Sequence, residues 1–157
     1  MNTSLLKIRL LLSWLALVIA AFTGTASATD YYKTAGNVTV YLGVLPSELV
    51  QGHSPEHPEN INHGGAPFAK RSHHVVVAVF DTKDGRRITH AEVTARVGEI
   101  GLAPVSKKLE PMTIDKWVSY GNYFAMASPG PYRIDVEVVW PGSSSPVKTS
   151  FKYSHPR

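Results

Sequence analysis

The chain predicts an all-β fold, an antiparallel β-sandwich of about seven strands. Three observations carry this expectation. Apolar and polar residues alternate with a period of two along most of the chain, as in strands with one buried face. Gly, Pro, Asp and Ser cluster between those stretches, where the chain has to reverse. Only Ser47 to Val50 and Ile114 to Trp117 leave room for a helical turn.

The first 28 residues read as an address rather than as fold. Lys7 and Arg9 make a positive start, and Leu10 to Phe22 is an apolar run broken only by Ser13. Ala26-Ser27-Ala28 then offers the small residues a signal peptidase accepts. The run is too short to span a bilayer comfortably and no stop-transfer segment follows, so no membrane span is expected after cleavage. Taking 28 residues from 157 leaves 129 (29–157), enough for one domain with a core and too few for two. There is no cysteine, hence no disulfide and no bacterial lipidation site, which favours a bacterial periplasm over a eukaryotic secretory route. Loss of Lys7 and Arg9 lowers the formal net charge from +4 to +2. Acidic and basic residues are interspersed, so no nucleic-acid partner is expected.

The strands follow in order. Val38, Val40, Leu42 and Val44 alternate with Asn37, Thr39, Tyr41 and Gly43. His74 to Phe80 is a nearly continuous β-branched run, suited to a central strand covered on both faces. Asp81 to Gly85 is turn chemistry, with Asp84-Gly85 the strongest hairpin signal. Glu92 to Val97 alternates again, with Val93, Ala95 and Val97 on one side. Val105 to Met112, bounded by Pro104 and Pro111, reads as an edge strand. Asn122 to Ala127 is followed by a Pro129-Gly130 turn. Tyr132, Ile134, Val136, Val138 and Trp140 then alternate with Arg133, Asp135, Glu137 and Val139, and Pro141-Gly142-Ser143 turns the chain back. Val147, Thr149, Phe151 and Tyr153 close the fold.

Five of the seven histidines lie between Gln51 and His74, in a stretch (51–74) rich in Pro, Gly and Asn. Such a stretch is neither a regular helix nor a central strand, and its length for a loop marks function or disorder. Neutral imidazole is a common ligand for copper, zinc and nickel. The candidate metal ligands are therefore His53, His57 and His63, with His73 and His74 at the loop's far end and Glu56 and Glu59 nearby. The competing reading is an exposed polar loop whose histidines titrate near pH 6.5. His73 and His74 open a strand and point to opposite faces, so the two cannot ligate one ion without distortion. One of them serves a structural role on that reading. His90 and His155 read as plain surface. Met112 and Met126 are soft donors suited to copper(I), although a lone methionine on a strand is usually core. Trp117, Tyr120, Tyr123 and Phe124 read as packing under a loop. Arg133, Asp135 and Glu137 read as a solvated face or a docking face.

Val77-Ala78-Val79-Phe80-Asp81 followed by Asp84-Gly85 and Ala91-Glu92-Val93 resembles the strand–turn–strand signature of immunoglobulin-like bacterial modules. Gly130-Pro131-Tyr132-Arg133-Ile134-Asp135-Val136 resembles the penultimate strand of such modules, including YtkA-like domains. The resemblance implies an immunoglobulin-like sandwich over most of His73 to Tyr153 and no particular activity. Leu109-Glu110-Pro111-Met112, Tyr120-Gly121-Asn122 and Met126 make up a second segment, which is similar to the periplasmic copper-binding accessory proteins of bacterial iron uptake. That resemblance implies a methionine ligand at Met112. Ser119 stands where the family has a histidine, so His73 or His74 is the nearest substitute.

Catalysis is not expected: there is no cysteine nucleophile, no Gly-x-Ser-x-Gly elbow and no phosphate-cradling glycine loop. Two functions remain. One is a periplasmic metal-binding accessory that captures or delivers copper (less readily zinc, nickel or iron) through the His-rich loop with Met112. The other is a non-catalytic interaction module that docks on a membrane transporter or oxidase assembly.

Overall fold

A computed structural model describes residues 30–51, 71–114 and 116–156. The expected leader and cleavage site, and His53, His57 and His63, lie outside the described residues. Among the described residues eight strands form: β1 (Tyr32–Ala35), β2 (Val38–Pro46), β3 (Ser72–Asp81), β4 (Glu92–Glu99), β5 (Val105–Ile114), β6 (Trp117–Ala125), β7 (Tyr132–Val139) and β8 (Val147–Tyr153). One short helix, α1 (Ser47–Gln51), follows β2. The all-β expectation holds, with one strand more than expected. β1 carries no run of buried apolar residues, being partly exposed throughout, so an edge strand of this kind leaves no period-two hydrophobic signal.

All pairings are antiparallel, in the order β1-β2-β3-β6-β5-β4-β7-β8. The sheet folds over at β5. Val105 to Leu109 pair with β4, whereas Glu110 to Ile114 pair with β6. β5 is thus shared by two halves and is not the edge its prolines predicted. Each half of β5 has a ladder partner on one side only, so Pro111, which has no N–H to give, is accommodated on the open side. Where β5 leaves β6, side chains bridge the gap: Lys107 Nζ donates to the Tyr123 carbonyl at 2.7 Å and Asn122 Nδ2 donates to the Lys108 carbonyl at 2.9 Å. The two ends of the sheet come together, with Lys33 of β1 over the Phe151 ring of β8 at 6.0 Å.

The core lies between the halves. Val38, Val40, Val75, Val77, Val79, Tyr120 and Phe124 face Val93, Ala95, Ile134, Val136, Val138 and Phe151, all buried. These are the alternating positions of the sequence pattern. Fully burying such a side chain stabilises the fold by about 1.5–3 kcal/mol.

Two connections differ from expectation. The Asp84-Gly85 turn forms, with the Asp81 N–H donating to the Arg86 carbonyl at 2.8 Å and Phe80 bridging Arg87. It does not make a hairpin of β3 and β4, because β4 crosses to the other half. The crossing is tied by the Tyr120 hydroxyl, which accepts from the Ala91 N–H (2.9 Å) and donates to the Ile88 carbonyl (3.1 Å). In place of the expected helical turn, Ile114 and Trp117 pair with each other as the last rung of the β5–β6 ladder. The strand expected from Asn122 begins earlier, at Trp117.

Candidate functional site

β3 is the strand that separates the two expected histidine ligands. Val75, Val77 and Val79 point into the core, so by alternation His73 lies on the core side and His74 on the outer side with Val76, Ala78 and Phe80. Both histidines are nonetheless buried, His74 completely.

His74 lies on the outer face of the half formed by β2, β3, β6 and the end of β5. It is opposite Tyr123 in the β3–β6 register, and the two rings stack with centroids 4.5 Å apart and planes at 20°. Val76 is opposite Gly121, and Gly121 in turn is opposite Glu110, two residues before Met112. His74, Gly121 and Met112 therefore run diagonally across three strands. Diagonal neighbours in a sheet are within reach of long side chains. Gly121 makes the approach possible. A Cβ at that position would stand 2.6 Å from His74 Nε2 and 3.1 Å from Met112 Sδ. An imidazole nitrogen and a thioether sulfur thus converge on one small volume that any other residue would fill. Met112 is as buried as core residues (1% exposed) but lies on this outer face, against Gly121.

Ser119, directly opposite Met112, has its hydroxyl 3.2 Å from Arg87 Nη1, which donates to it. Arg87 also donates to the Val118 carbonyl at 2.7 Å and lies over the Phe80 and Trp117 rings, at 4.7 and 5.5 Å. The position that carries a histidine in the resembling family is here part of a cation–aromatic clamp.

His73 is elsewhere. Its ring packs on that of His155, centroids 4.4 Å apart, in a cleft of about 330 Å³ also lined by Glu48, Arg71 and Met126. Burial, then the His155 imidazole, holds the His73 pKa below the usual histidine value. The Arg71 carbonyl and the Glu48 carboxylate pull the other way.

The structure therefore brings together His74 and Met112, and separates both from His73. His155, read from sequence as surface, is half-buried beside His73. Nothing local to Ser154-His155-Pro156 announces that contact. His90 is exposed, as expected. Of the aromatic set, Tyr120 and Phe124 are core, Tyr123 stacks on His74, and Trp117 is exposed. Among the described residues no three His, Cys, Asp or Glu side chains are grouped to hold a metal ion. No helix among them is long and apolar enough to cross a membrane.

No protein-family profile matches the chain, and no curated protein sequence does. Solved structures do. A DUF4426 family protein from Pseudomonas aeruginosa is similar with a TM-score of 0.63 at 13% identity, over 79% of this chain and 92% of that one. FetP of uropathogenic E. coli strain F11 is similar at 0.60 and 16% identity, over 81% and 93% of the two chains. A copper-bound variant of FetP gives 0.57 and 15%, over 79% and 93%. These neighbours include no YtkA-like module. At such identities the likeness concerns architecture, and the chain shares the β-rich fold of the DUF4426 protein and FetP.

Proposed function

We propose that this protein is a periplasmic metal-binding accessory that takes up or hands on copper at the outer face of β3, β6 and β5. The single observation that carries the reading is the convergence of His74 Nε2 and Met112 Sδ over Gly121. Imidazole suits copper in both oxidation states, and thioether sulfur selects copper(I) over zinc, nickel and iron. Two donors are fewer than a closed site needs. The remaining positions fall to His53, His57 or His63, whose segment joins α1 to β3, or to solvent. The copper-bound FetP variant among the structural neighbours supports the metal. The reading is of a carrier with no catalytic step. Copper is its cargo.

A docking role is the second reading, and exposed apolar residues around the site favour it. Leu45, opposite His74 in the β2–β3 register, and Leu49 of α1 are exposed, a rim that a receiving transporter or oxidase assembly would cover. The two readings separate by titration of the full-length protein with copper(I) against a chromophoric chelator. Carriage predicts one tight equivalent, weakened by roughly tenfold or more in His74→Ala and in Met112→Leu. Tight binding unchanged by both substitutions would move the site to the loop. No binding at all would leave docking alone.

A further inference from the structure

We infer that His73 and His155 form a second metal site, for a divalent ion of tetragonal preference such as copper(II). It lies on the opposite side of β3 from His74. The reading of His74 and Met112 is not needed for it, since the donors, the face and the ion's oxidation state all differ.

The geometry of the pair comes first. Two imidazoles on adjacent corners of a square-planar ion, with bonds of about 2.0 Å, hold their ring centres roughly 4.5 Å apart. The observed separation is 4.4 Å, with the planes tilted at 41°. Copper(II) favours such nitrogen and oxygen corners.

The protonation of His155 comes next. Its Nε2 is 3.1 Å from the Met126 carbonyl. A carbonyl only accepts, so Nε2 donates this hydrogen bond, and in the neutral ring that ligates a metal the lone pair is on Nδ1. That Nδ1 has only a long contact, 3.3 Å, with the Tyr153 hydroxyl. The backbone N–H of His155 donates to the Pro129 carbonyl at 3.2 Å. Ring and backbone are thus both held from behind, as partners outside the metal's own ligands commonly hold a ligating histidine.

His73 supplies the other donor. It is 93% buried, being 7% exposed, and its Nδ1 has no hydrogen-bond partner. A buried, unsatisfied imidazole nitrogen costs stability, and an ion removes that cost. The cleft gives access, with water for the remaining positions. Arg71 on its wall is exposed and has solvent to point into.

The test uses the full-length protein with His53, His57, His63 and His74 changed to Ala and Met112 to Leu, which removes every other proposed donor. Titration with copper(II), read by electron paramagnetic resonance, is expected to give one equivalent with hyperfine splitting from two imidazole nitrogens. Adding His155→Ala should weaken binding roughly tenfold or more and remove that splitting. Unchanged affinity and spectrum in the His155→Ala protein would overturn the site. If that protein loses its fold, the same question goes to the parent with zinc(II) and nitrogen NMR. The ring nitrogens of His73 and His155 should then shift together by one equivalent, and no shift overturns the proposal.

Discussion

The two outer faces of the folded-over sheet are built on opposite principles. On the half formed by β4, β7 and β8 the outward residues are Thr94, Arg96, Arg133, Asp135, Glu137, Lys148 and Ser150. They form ordinary surface ion pairs such as Lys148–Glu137 at 3.0 Å and Arg133–Asp135 at 3.5 Å. On the other half the outward residues include Tyr41, Val76, Ala78, Phe80, Gly121 and Tyr123, with His74 and Met112 buried among them. A solvated face needs only charge, and its members are interchangeable. An apolar outward face with a buried imidazole, a buried thioether and a glycine between them depends on shape. The proposed copper site lies on the half where substitution should be least tolerated.

The sharpest way to break that comparison is to enlarge one side chain on each face. Gly121→Ala puts a Cβ 2.6 Å from His74 Nε2, and should cost about 1–3 kcal/mol in urea unfolding as His74 and Met112 are pushed apart. Copper binding at this face should fall with it. Ser150→Val, on the charged face, should stay within about 0.5 kcal/mol of the parent. Equal costs for the two would dissolve the distinction.

Adding a donor sharpens the comparison from the other side. Ser119→His sets an imidazole directly opposite Met112 and should tighten copper(I) binding roughly tenfold or more, measured by chelator competition. The gain is read against the loss of the Arg87–Ser119 contact, which Ser119→Ala measures separately. Met112→Leu nearly conserves volume, so its unfolding free energy should change by less than about 1.5 kcal/mol while copper affinity drops. A stability loss without an affinity loss would make Met112 mere packing.

Acid should act more weakly, and through His73. Burial lowers its folded-state pKa, so the unfolded chain binds the proton more readily. Metal-free stability should therefore be complete above the unfolded value of about 6.5 and fall as pH drops toward the folded pKa. His73→Phe should flatten that slope in unfolding curves. The smallest effect belongs to Lys148→Ala on the charged face, where the exposed pair with Glu137 should contribute no more than about 0.5 kcal/mol and vanish in high salt.

Much of this was legible in the chain. The period-two pattern of Tyr132 to Val139, the β-branched run of β3 and the turns at Asp84-Gly85 and Pro129-Gly130 are local signals, and they placed seven strands. Met112 and His74 stood out singly, by residue type and neighbourhood, and the opposite facing of His73 and His74 follows from strand alternation alone. What failed were readings that needed a partner. Pro104 and Pro111 suggested an edge, because a proline cannot donate to a ladder, and the chain does not say that β5 changes ladders at Glu110. β1 went unseen because a half-exposed edge carries no alternation. His155 looked like tail until Met126 and His73 closed over it.

The sequence by itself determined which residues face inward and which outward, where the chain turns, and that imidazole and thioether donors are available. Strand period and turn chemistry depend on neighbours only a few residues away. Only the tertiary structure decided that Met112 meets His74 across Gly121, and that His73 meets His155 from the far end of the chain. Such meetings follow from strand order and register, which are set by how the whole sheet buries its apolar face and not by any local stretch.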